Sequence, residues 1–225
     1  MGNRFQKIFC DTININLFLN IMPKNFEKKI VISISGAAEV SHCGPEILNM
    51  AKEIGREIAK QKAVLSTGAT SGFPDAVAQG YQEAQGIFSL GLSPAADPNE
   101  HANLYLLPLD ACDVTIFTGF GFPMRDILLV KSSDAMILGC GRIGTIHEFT
   151  VAWESNIPIG ILEGEWPTDE VIRDIIRNSN RTNVKIVFDS NPKRLITKII
   201  EMIKADKSRM EIGDIGMVEI IKAKV

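Results

Sequence analysis

The chain has 225 residues, of which 45% are hydrophobic and 23% charged, and its formal net charge is −3 at neutral pH. This length suits one α/β domain with a substantial core, and the composition is that of an ordered globular protein. The acidic balance argues against nucleic-acid binding, which relies on Lys and Arg to neutralise phosphates. No run of like charge indicates a membrane-binding surface. We therefore expect a cytoplasmic protein that binds neither nucleic acid nor membrane.

The first 27 residues are predicted to form an extension outside the fold. Residues 15–22 are largely apolar, but the stretch is too short, and too interrupted by Asn16 and Asn20, to span a bilayer. It also lacks the basic start, longer apolar stretch and cleavage site of a signal peptide. Met22, followed by Pro23, is a candidate for the biological start.

From Lys28 onward, short apolar β-branched runs alternate with segments of helical periodicity. The predicted strands are residues 30–34, 63–67, 87–92, 113–118, 135–138, 158–162 and 185–188. The predicted helices are residues 44–59, 74–84, 123–132, 144–154, 168–178, with Thr168 as N-cap, and 192–204. Residues 93–107 are predicted as a long loop. This alternation predicts a three-layer α/β/α Rossmann-like domain with a doubly wound, mostly parallel sheet over residues 28–205, followed by a tail at 206–225.

Small residues and glycines follow three of the predicted strands, in the loops 35–38, 67–72 and 139–145. Ligands of open α/β sheets bind beyond the carboxyl ends of the strands, where glycines let backbone amides approach an anion. The alternative is that these glycines only make tight turns. Neither a Walker A sequence nor a G-x-G-x-x-G fingerprint after the first strand is present, so ATP hydrolysis and NAD binding lose support.

The stretch from Arg125 to Ile137, followed by Cys140-Gly-Arg-Ile-Gly-Thr-Ile-His-Glu148, resembles the LOG (Lonely Guy) family, once labelled "possible lysine decarboxylase". That family is related to the molybdenum-cofactor carrier proteins and to the SLOG superfamily. Its pattern is an Arg-Lys pair, a Ser/Ala-Asp-Ala strand, and P-G-G-x-G-T-x-x-E. Here Asp126 replaces the Lys, Cys140 the Pro and Arg142 the second Gly.

The resemblance implies hydrolysis of the N-glycosidic bond of a nucleoside 5′-monophosphate, releasing base and ribose 5-phosphate. Glu148 would stabilise the developing oxocarbenium ion or activate water, and Arg125 would assist the leaving base. The residues expected to hold the phosphorylated ligand are Gly36, Gly68, Thr70, Gly72, Gly141, Arg142, Gly144 and Thr145. For Arg142, a phosphate clamp and a surface residue without a role remain alternatives.

A second interpretation keeps the same phosphate loops without turnover, as a nucleotide or molybdenum-cofactor carrier or sensor. Lysine decarboxylation is rejected because no lysine is presented as a Schiff base in a pyridoxal-phosphate context. No cofactor of the protein's own is expected. The resemblance also implies a homo-oligomer.

The remaining candidates receive structural interpretations. The four cysteines, widely spaced and without C-x-x-C, are predicted to be reduced thiols, and the scattered histidines give no metal site. His147 is predicted to be solvated, Asp134 to shape a turn, and Met136 and Trp153 to lie in the core. Three aromatic residues near the loops either stack a base or pack against one another: Phe73, Phe120 and Phe122.

Overall fold

The computed structural model describes residues 28–181 and 185–206, which form one sheet of seven parallel strands with helices on both sides. The strands are β1 (Val31–Ser35), β2 (Val64–Thr67), β3 (Ser89–Ser93), β4 (Val114–Phe117), β5 (Ala135–Leu138), β6 (Ile159–Leu162) and β7 (Ile186–Asp189). The helices are α1 (Ile47–Lys60), α2 (Phe73–Glu83), α3 (Gly121–Lys131), α4 (Ile143–Glu154), α5 (Pro167–Asn178) and α6 (residues 192–206). A 3₁₀ turn at Ser41–Cys43 and a π-helical turn at Glu100–Leu104 complete the elements.

The predicted fold class is confirmed, and the predicted strands and helices occur in the predicted order. Two details differ. The loop predicted at 93–107 contains the π-helical turn. The N-cap of α5 is Trp166 rather than Thr168, which lies inside the first turn and donates its hydroxyl proton to the carbonyl of Gly141, 2.6 Å away. The predicted extension 1–27 and residues 207–225 of the predicted tail lie outside the described residues.

The core has two layers because alternate residues of each buried strand point to opposite faces of the sheet. In β5, Ala135 and Ile137 pack with α1, α2 and α6 on one face, whereas Met136 and Leu138 pack with α3 and α4 on the other. All four are fully buried, so β5 is sandwiched between the helical layers. This burial explains why the strand reads as a continuous apolar run.

The strand order β4-β3-β2-β1-β5-β6-β7 places the reversal of the winding between β1 and β5. The chain proceeds outward in one direction from β1 and in the other direction from β5. The loops that follow these two neighbouring strands therefore diverge and leave a crevice at the carboxyl edge of the sheet. A hydrogen bond from the amide of Ala37 to the carbonyl of Cys140, 2.8 Å long, joins the two loops at its base.

The outer edge of the sheet at β4 is less well covered than its centre. Val114 and Ile116 remain 45% and 47% exposed, which is unusual for apolar residues of a strand in an α/β fold.

Among the described residues, no helix is long and apolar enough to cross a membrane.

Candidate functional site

A cleft of about 390 Å³ opens at the reversal point, beyond the carboxyl ends of the strands. Its walls come from the loops after β1, β2 and β5 and from the first turns of α2, α3 and α4. Of the residues predicted from sequence to form the site, eight line it: Gly36, Gly68, Thr70, Arg125, Arg142, Gly144, Thr145 and Glu148. The fold therefore brings the three glycine-rich loops to one place.

The first turn of α4 faces the cleft with Ile143, Gly144 and Thr145. The first amides of a helix have no carbonyl partner four residues earlier, and they carry the positive end of the helix dipole. The first α4 amide bonded to a carbonyl of the preceding turn is that of Ile146, which donates to Arg142 over 3.2 Å. The turn before it is therefore a site suited to an anion such as a phosphate.

Arg125 enters the cleft from α3 and is only 4% exposed. Its Nη1 donates to the carbonyls of Gly68 and of Leu92 (3.1 Å), and its Nε donates to Asp126 Oδ1 over 3.1 Å. None of these bonds uses Nη2. The guanidinium is thus held in a fixed position by the backbone of two strand ends, with part of its hydrogen-bonding capacity left for a ligand.

Glu148 lies on the second turn of α4, 7% exposed, and accepts a hydrogen bond from the hydroxyl of Ser35 at the end of β1. Burial, reinforced by the charge of the nearby Asp126 carboxylate, raises the pKa of Glu148 to about 8; the opposing influence of Arg125 is smaller. At neutral pH the carboxyl group is therefore mostly protonated in the free protein. Ser35 was not singled out from the sequence, because its role depends on β1 and α4 meeting across 113 positions.

Gly72 and Gly141, also predicted to bind the ligand, do not line the cleft but shape its loops. Gly72 has a positive φ of 72° and precedes α2, where a Cβ atom would collide with the Ala37 carbonyl. At position 141 a Cβ atom would collide with the side chain of Thr145. The close packing at both positions is what the tight-turn alternative expects, and a role of these glycines in binding the ligand stays a prediction.

Arg142 lies at the rim of the cleft with 60% of its side chain exposed. Its Nη2 is 2.6 Å from Glu39 Oε2 and 3.2 Å from His42 Nδ1. Both partners belong to the segment between β1 and α1, so Arg142 bridges the two loops that diverge at the crevice. Arg142 is therefore paired with neighbouring side chains at the rim, and its guanidinium group is not buried inside the cleft.

The prediction of reduced, unpaired cysteines is wrong for two of them. Cys43 and Cys140 form a disulfide although 97 positions separate them, with their Cα atoms 5.8 Å apart. The two cysteines are far apart in sequence and become neighbours only because β1 pairs with β5, which puts the loops after these two strands side by side. Cys112 is free and half-buried, and burial raises the pKa of its thiol.

The sequence predicted that His147 is only solvated, but the structure gives it a side-chain partner. Its Nδ1 lies 2.9 Å from Oδ2 of Asp126, the residue that replaces the family lysine.

Among the aromatic candidates, Phe73 is fully buried beneath the loops, whereas Phe122 lines the cleft with its ring centroid 5.6 Å from the Arg125 guanidinium carbon. Phe120 is 52% exposed. Asp134, by contrast, accepts the Val31 amide at the opposite edge of the sheet (2.9 Å), and Met136 and Trp153 are buried as predicted.

A doubly wound parallel sheet with a helix N-terminus, a buried arginine and a buried carboxyl group around its crevice defines a Rossmann-like protein whose cleft is suited to an anion. The chain belongs to the SLOG cluster4 family, whose model matches residues 29–196. The resemblance to the SLOG superfamily noted from the sequence is thereby confirmed.

Three proteins are similar to this chain in sequence or in fold. An uncharacterized protein of Archaeoglobus fulgidus is 32% identical over 136 residues, which cover 60% of this chain and 82% of the relative. The molybdenum cofactor binding protein of Rippkaea orientalis is 28% identical with a TM-score of 0.62, over 79% of this chain and 97% of the other. The molybdenum cofactor carrier protein of Chlamydomonas reinhardtii has the same fold at 22% identity (TM-score 0.62; 79% of this chain and 99% of the other).

Proposed function

We propose that the protein is a cytoplasmic binding protein for a phosphorylated small molecule of the nucleotide or pterin type, acting as a carrier or sensor. The observation that carries this proposal is the first turn of α4, whose amides at Ile143–Thr145 face a cleft that also contains the buried Arg125. Both features attract an anion, and the cleft of about 390 Å³ lies within the size range of small-ligand pockets.

The interior of the cleft suggests how the rest of the ligand is held. Phe122 offers the face of an aromatic ring next to Arg125, and such a pair suits a flat heterocycle such as a purine or a pterin. Gly68 lies directly against Arg125, where a Cβ atom would collide with the guanidinium. The glycine therefore allows the arginine to lie flat along the cleft wall. The ligand's phosphate would occupy the α4 end and its ring the Phe122 end.

Several features favour binding without turnover over catalysis. The molybdenum cofactor binding protein of Rippkaea orientalis is similar in sequence as well as in fold. Asp126 stands where the LOG pattern has a lysine, and it holds the Nε of Arg125. In the free protein the pKa of Glu148 of about 8 also keeps that carboxyl group mostly uncharged at pH 7, which lowers its power to stabilise a cation. An uncharged carboxyl group, in contrast, does not repel a bound phosphate.

The proposal is tested by thermal denaturation and calorimetry with a panel of nucleoside 5′-monophosphates, the corresponding nucleosides, and the molybdenum cofactor. A ligand that binds only the folded state raises the melting temperature as its concentration exceeds Kd. We expect at least one phosphorylated member to stabilise the protein and its unphosphorylated counterpart to fail. Equal stabilisation by phosphorylated and unphosphorylated forms, or none by any member, would contradict the proposal.

A second candidate function, hydrolysis of the N-glycosidic bond of a nucleoside 5′-monophosphate, is favoured by one specific observation. Arg125 and Glu148 are both buried in the same cleft, and a buried carboxyl group with a raised pKa beside a cation is typical of acid–base sites. In that reaction Arg125 would assist the departure of the base, and Glu148 would activate water or stabilise the sugar cation.

Hydrolysis is tested by chromatography for released base and ribose 5-phosphate, with Glu148→Ala as the inactive control. If the Glu148 carboxylate is the working form, the rate rises with pH and levels off above about 8. If protonated Glu148 donates to the leaving base, the rate falls above that pH instead. Release of base that persists in Glu148→Ala would exclude this site as its source.

A further inference from the structure

A cluster of metal-ligating side chains lies beside the cleft and has no part in the proposed function. His42, Cys43 and Cys140 present their ligand atoms within 4.8 Å of one another. The two cysteines come from the loops after β1 and β5, and the histidine directly precedes Cys43. Their convergence is a consequence of the same strand pairing that opens the cleft.

The spacing between the imidazole and the sulfurs matches that of ligands on one zinc ion. His42 Nε2 lies 3.5 Å from the Sγ of Cys43 and 3.5 Å from the Sγ of Cys140. Tetrahedral Zn²⁺ has Zn–N distances of about 2.0 Å and Zn–S distances of about 2.3 Å, which puts a nitrogen and a sulfur ligand about 3.5 Å apart. The two sulfurs of such a site stand about 3.8 Å apart, a separation reached once the disulfide is open.

The surroundings of the cluster are those of a metal site that is closed on one side. Cys140 is fully buried and Cys43 is 5% exposed, whereas the side chain of His42 keeps 29% of its surface accessible. Glu39 Oε2 lies 3.8 Å from His42 Nδ1, and Arg142 Nη2 lies 3.2 Å from the same nitrogen. When Nε2 binds zinc, Nδ1 carries the proton, so the guanidinium of Arg142, which can only donate, has to move away from it. A carboxylate beside the second nitrogen is the usual partner of a zinc-bound histidine, because it accepts the remaining N–H proton.

We propose that Cys43, Cys140 and His42 bind one Zn²⁺ ion when the Cys43–Cys140 disulfide is reduced. A dithiol reductant supplies two electrons and two protons: the S–S bond breaks, two thiols form, and the reductant becomes a disulfide. Binding of Zn²⁺ then releases both thiol protons to water, and Nε2 of neutral His42 is the third ligand. Thiolate and imidazole ligands favour zinc over calcium or magnesium, and the solvent-facing fourth position takes a water molecule.

The position of the cluster couples either state to the cleft. Cys140 immediately precedes Gly141 and Arg142, and Glu39 contacts both His42 and Arg142. In the oxidised state the disulfide fixes the two loops, and in the reduced state the zinc ion does so with the sulfurs farther apart. The loop that carries Arg142 therefore adopts a different setting in the two states.

The test is metal analysis of the full chain, purified with a phosphine reductant, loaded with Zn²⁺ and dialysed. We expect one zinc per chain, and about a hundredfold weaker binding in Cys43→Ser and Cys140→Ser, which lose a thiolate ligand. Cobalt-loaded protein should show the visible bands of tetrahedral Co²⁺ and thiolate charge-transfer bands. Cys112→Ser is the matched control, because its thiol lies outside the cluster, and should bind zinc normally.

A further variant, His42→Ala, distinguishes loss of a zinc ligand from misfolding of the cysteine variants. It replaces a partly exposed residue and leaves both cysteines in place. It should keep the wild-type melting temperature under oxidising conditions, where the disulfide forms, and lose zinc under reducing conditions. Zinc content that is equal in wild type, His42→Ala and the cysteine variants, or absent from reduced wild type, would overturn the proposal. Oxidation of the zinc-loaded protein should release the metal and lower the number of titratable thiols by two.

Discussion

Nδ1 of His147 lies 2.9 Å from Oδ2 of Asp126, while Oδ1 of the same carboxylate receives the Nε proton of Arg125 over 3.1 Å. One buried carboxylate thus joins a residue of α4 to the arginine of α3 at the floor of the cleft. Its charge also raises the pKa of Glu148, the residue that directly follows His147. The residue that departs from the family lysine is therefore central to the electrostatics of the site.

Replacing Asp126 with Asn should lower the pKa of Glu148 by about one unit, because a like charge that disfavours the carboxylate is removed. Carbon-detected NMR titration of the Glu148 carboxyl group measures the shift. His147→Gln is the control, since it leaves the Asp126 carboxylate in place and should not lower the pKa. An unchanged pKa in Asp126→Asn would show that burial alone is responsible.

Replacing Glu148 with Gln should stabilise the fold at alkaline pH. The folded-state pKa of about 8 exceeds the ordinary value of 4.5, so the folded protein holds this proton more tightly than the unfolded chain, and stability declines as pH rises from about 4.5 to 8. Glutamine removes that decline. The free energy of unfolding at pH 9 should therefore exceed that of wild type by on the order of 5 kcal/mol, with the difference vanishing near pH 4. Denaturant titrations at the two pH values measure it, and a constant difference would contradict the assignment.

Gly141, in the loop after β5, and Gly144, in the first turn of α4, should respond differently to replacement by alanine. At position 141 a Cβ atom would collide with Thr145, so Gly141→Ala should cost about 1–3 kcal/mol of stability. At position 144 no atom lies within 4 Å of such a Cβ, so Gly144→Ala should fold normally while its methyl group obstructs the ligand. Denaturation and ligand titration of both variants measure these effects. A stable Gly144→Ala protein with undiminished affinity would indicate that the ligand lies elsewhere.

Glu39 should restrain the rim arginine. Because Glu39 Oε2 lies 2.6 Å from Arg142 Nη2, Glu39→Gln should free the arginine and raise the affinity for a phosphorylated ligand, whereas Arg142→Ala should lower it. A change of about threefold in each direction is expected for exposed charges. Calorimetry at low and moderate salt is the measurement, and the differences should shrink as salt screens them. Unaltered affinity in both variants would select the alternative in which Arg142 has no role in binding.

The expected homo-oligomer should use the apolar surface at the β4 edge. Val114 and Ile116 of this strand are both more than 40% exposed, and exposed apolar areas commonly mark protein interfaces. Light scattering coupled to size exclusion should therefore give at least twice the mass of the chain. Ile116→Lys should reduce that mass to a monomer, with Leu48→Lys, an exposed residue of α1, as the control. A wild-type monomer would contradict the expectation.

The elements of the fold could be predicted from local patterns, whereas part of the site could not. The buried run 135–138 was bounded correctly because it is short and is flanked by polar residues on one side and glycine on the other. The cleft residues Gly144, Thr145 and Glu148 followed from the loop motif and its resemblance. The contacts of Ser35, Asp126 and His42 could not be predicted, because each depends on which strands and helices become neighbours. Thr168 is of a residue type favoured at N-caps, but its hydroxyl group donates instead to the carbonyl of Gly141, which is distant in sequence.

The most direct test of the binding cleft is amide NMR of labelled protein titrated with the nucleoside 5′-monophosphates and the molybdenum cofactor. Binding in the cleft predicts that a ligand shifts the amide signals of Ile143, Gly144 and Thr145 most strongly, because a phosphate would accept hydrogen bonds from them. The Nε signal of Arg125 should shift in the same titration. Ligand-induced shifts confined to residues outside the cleft, or no shift with any phosphorylated ligand, would contradict it.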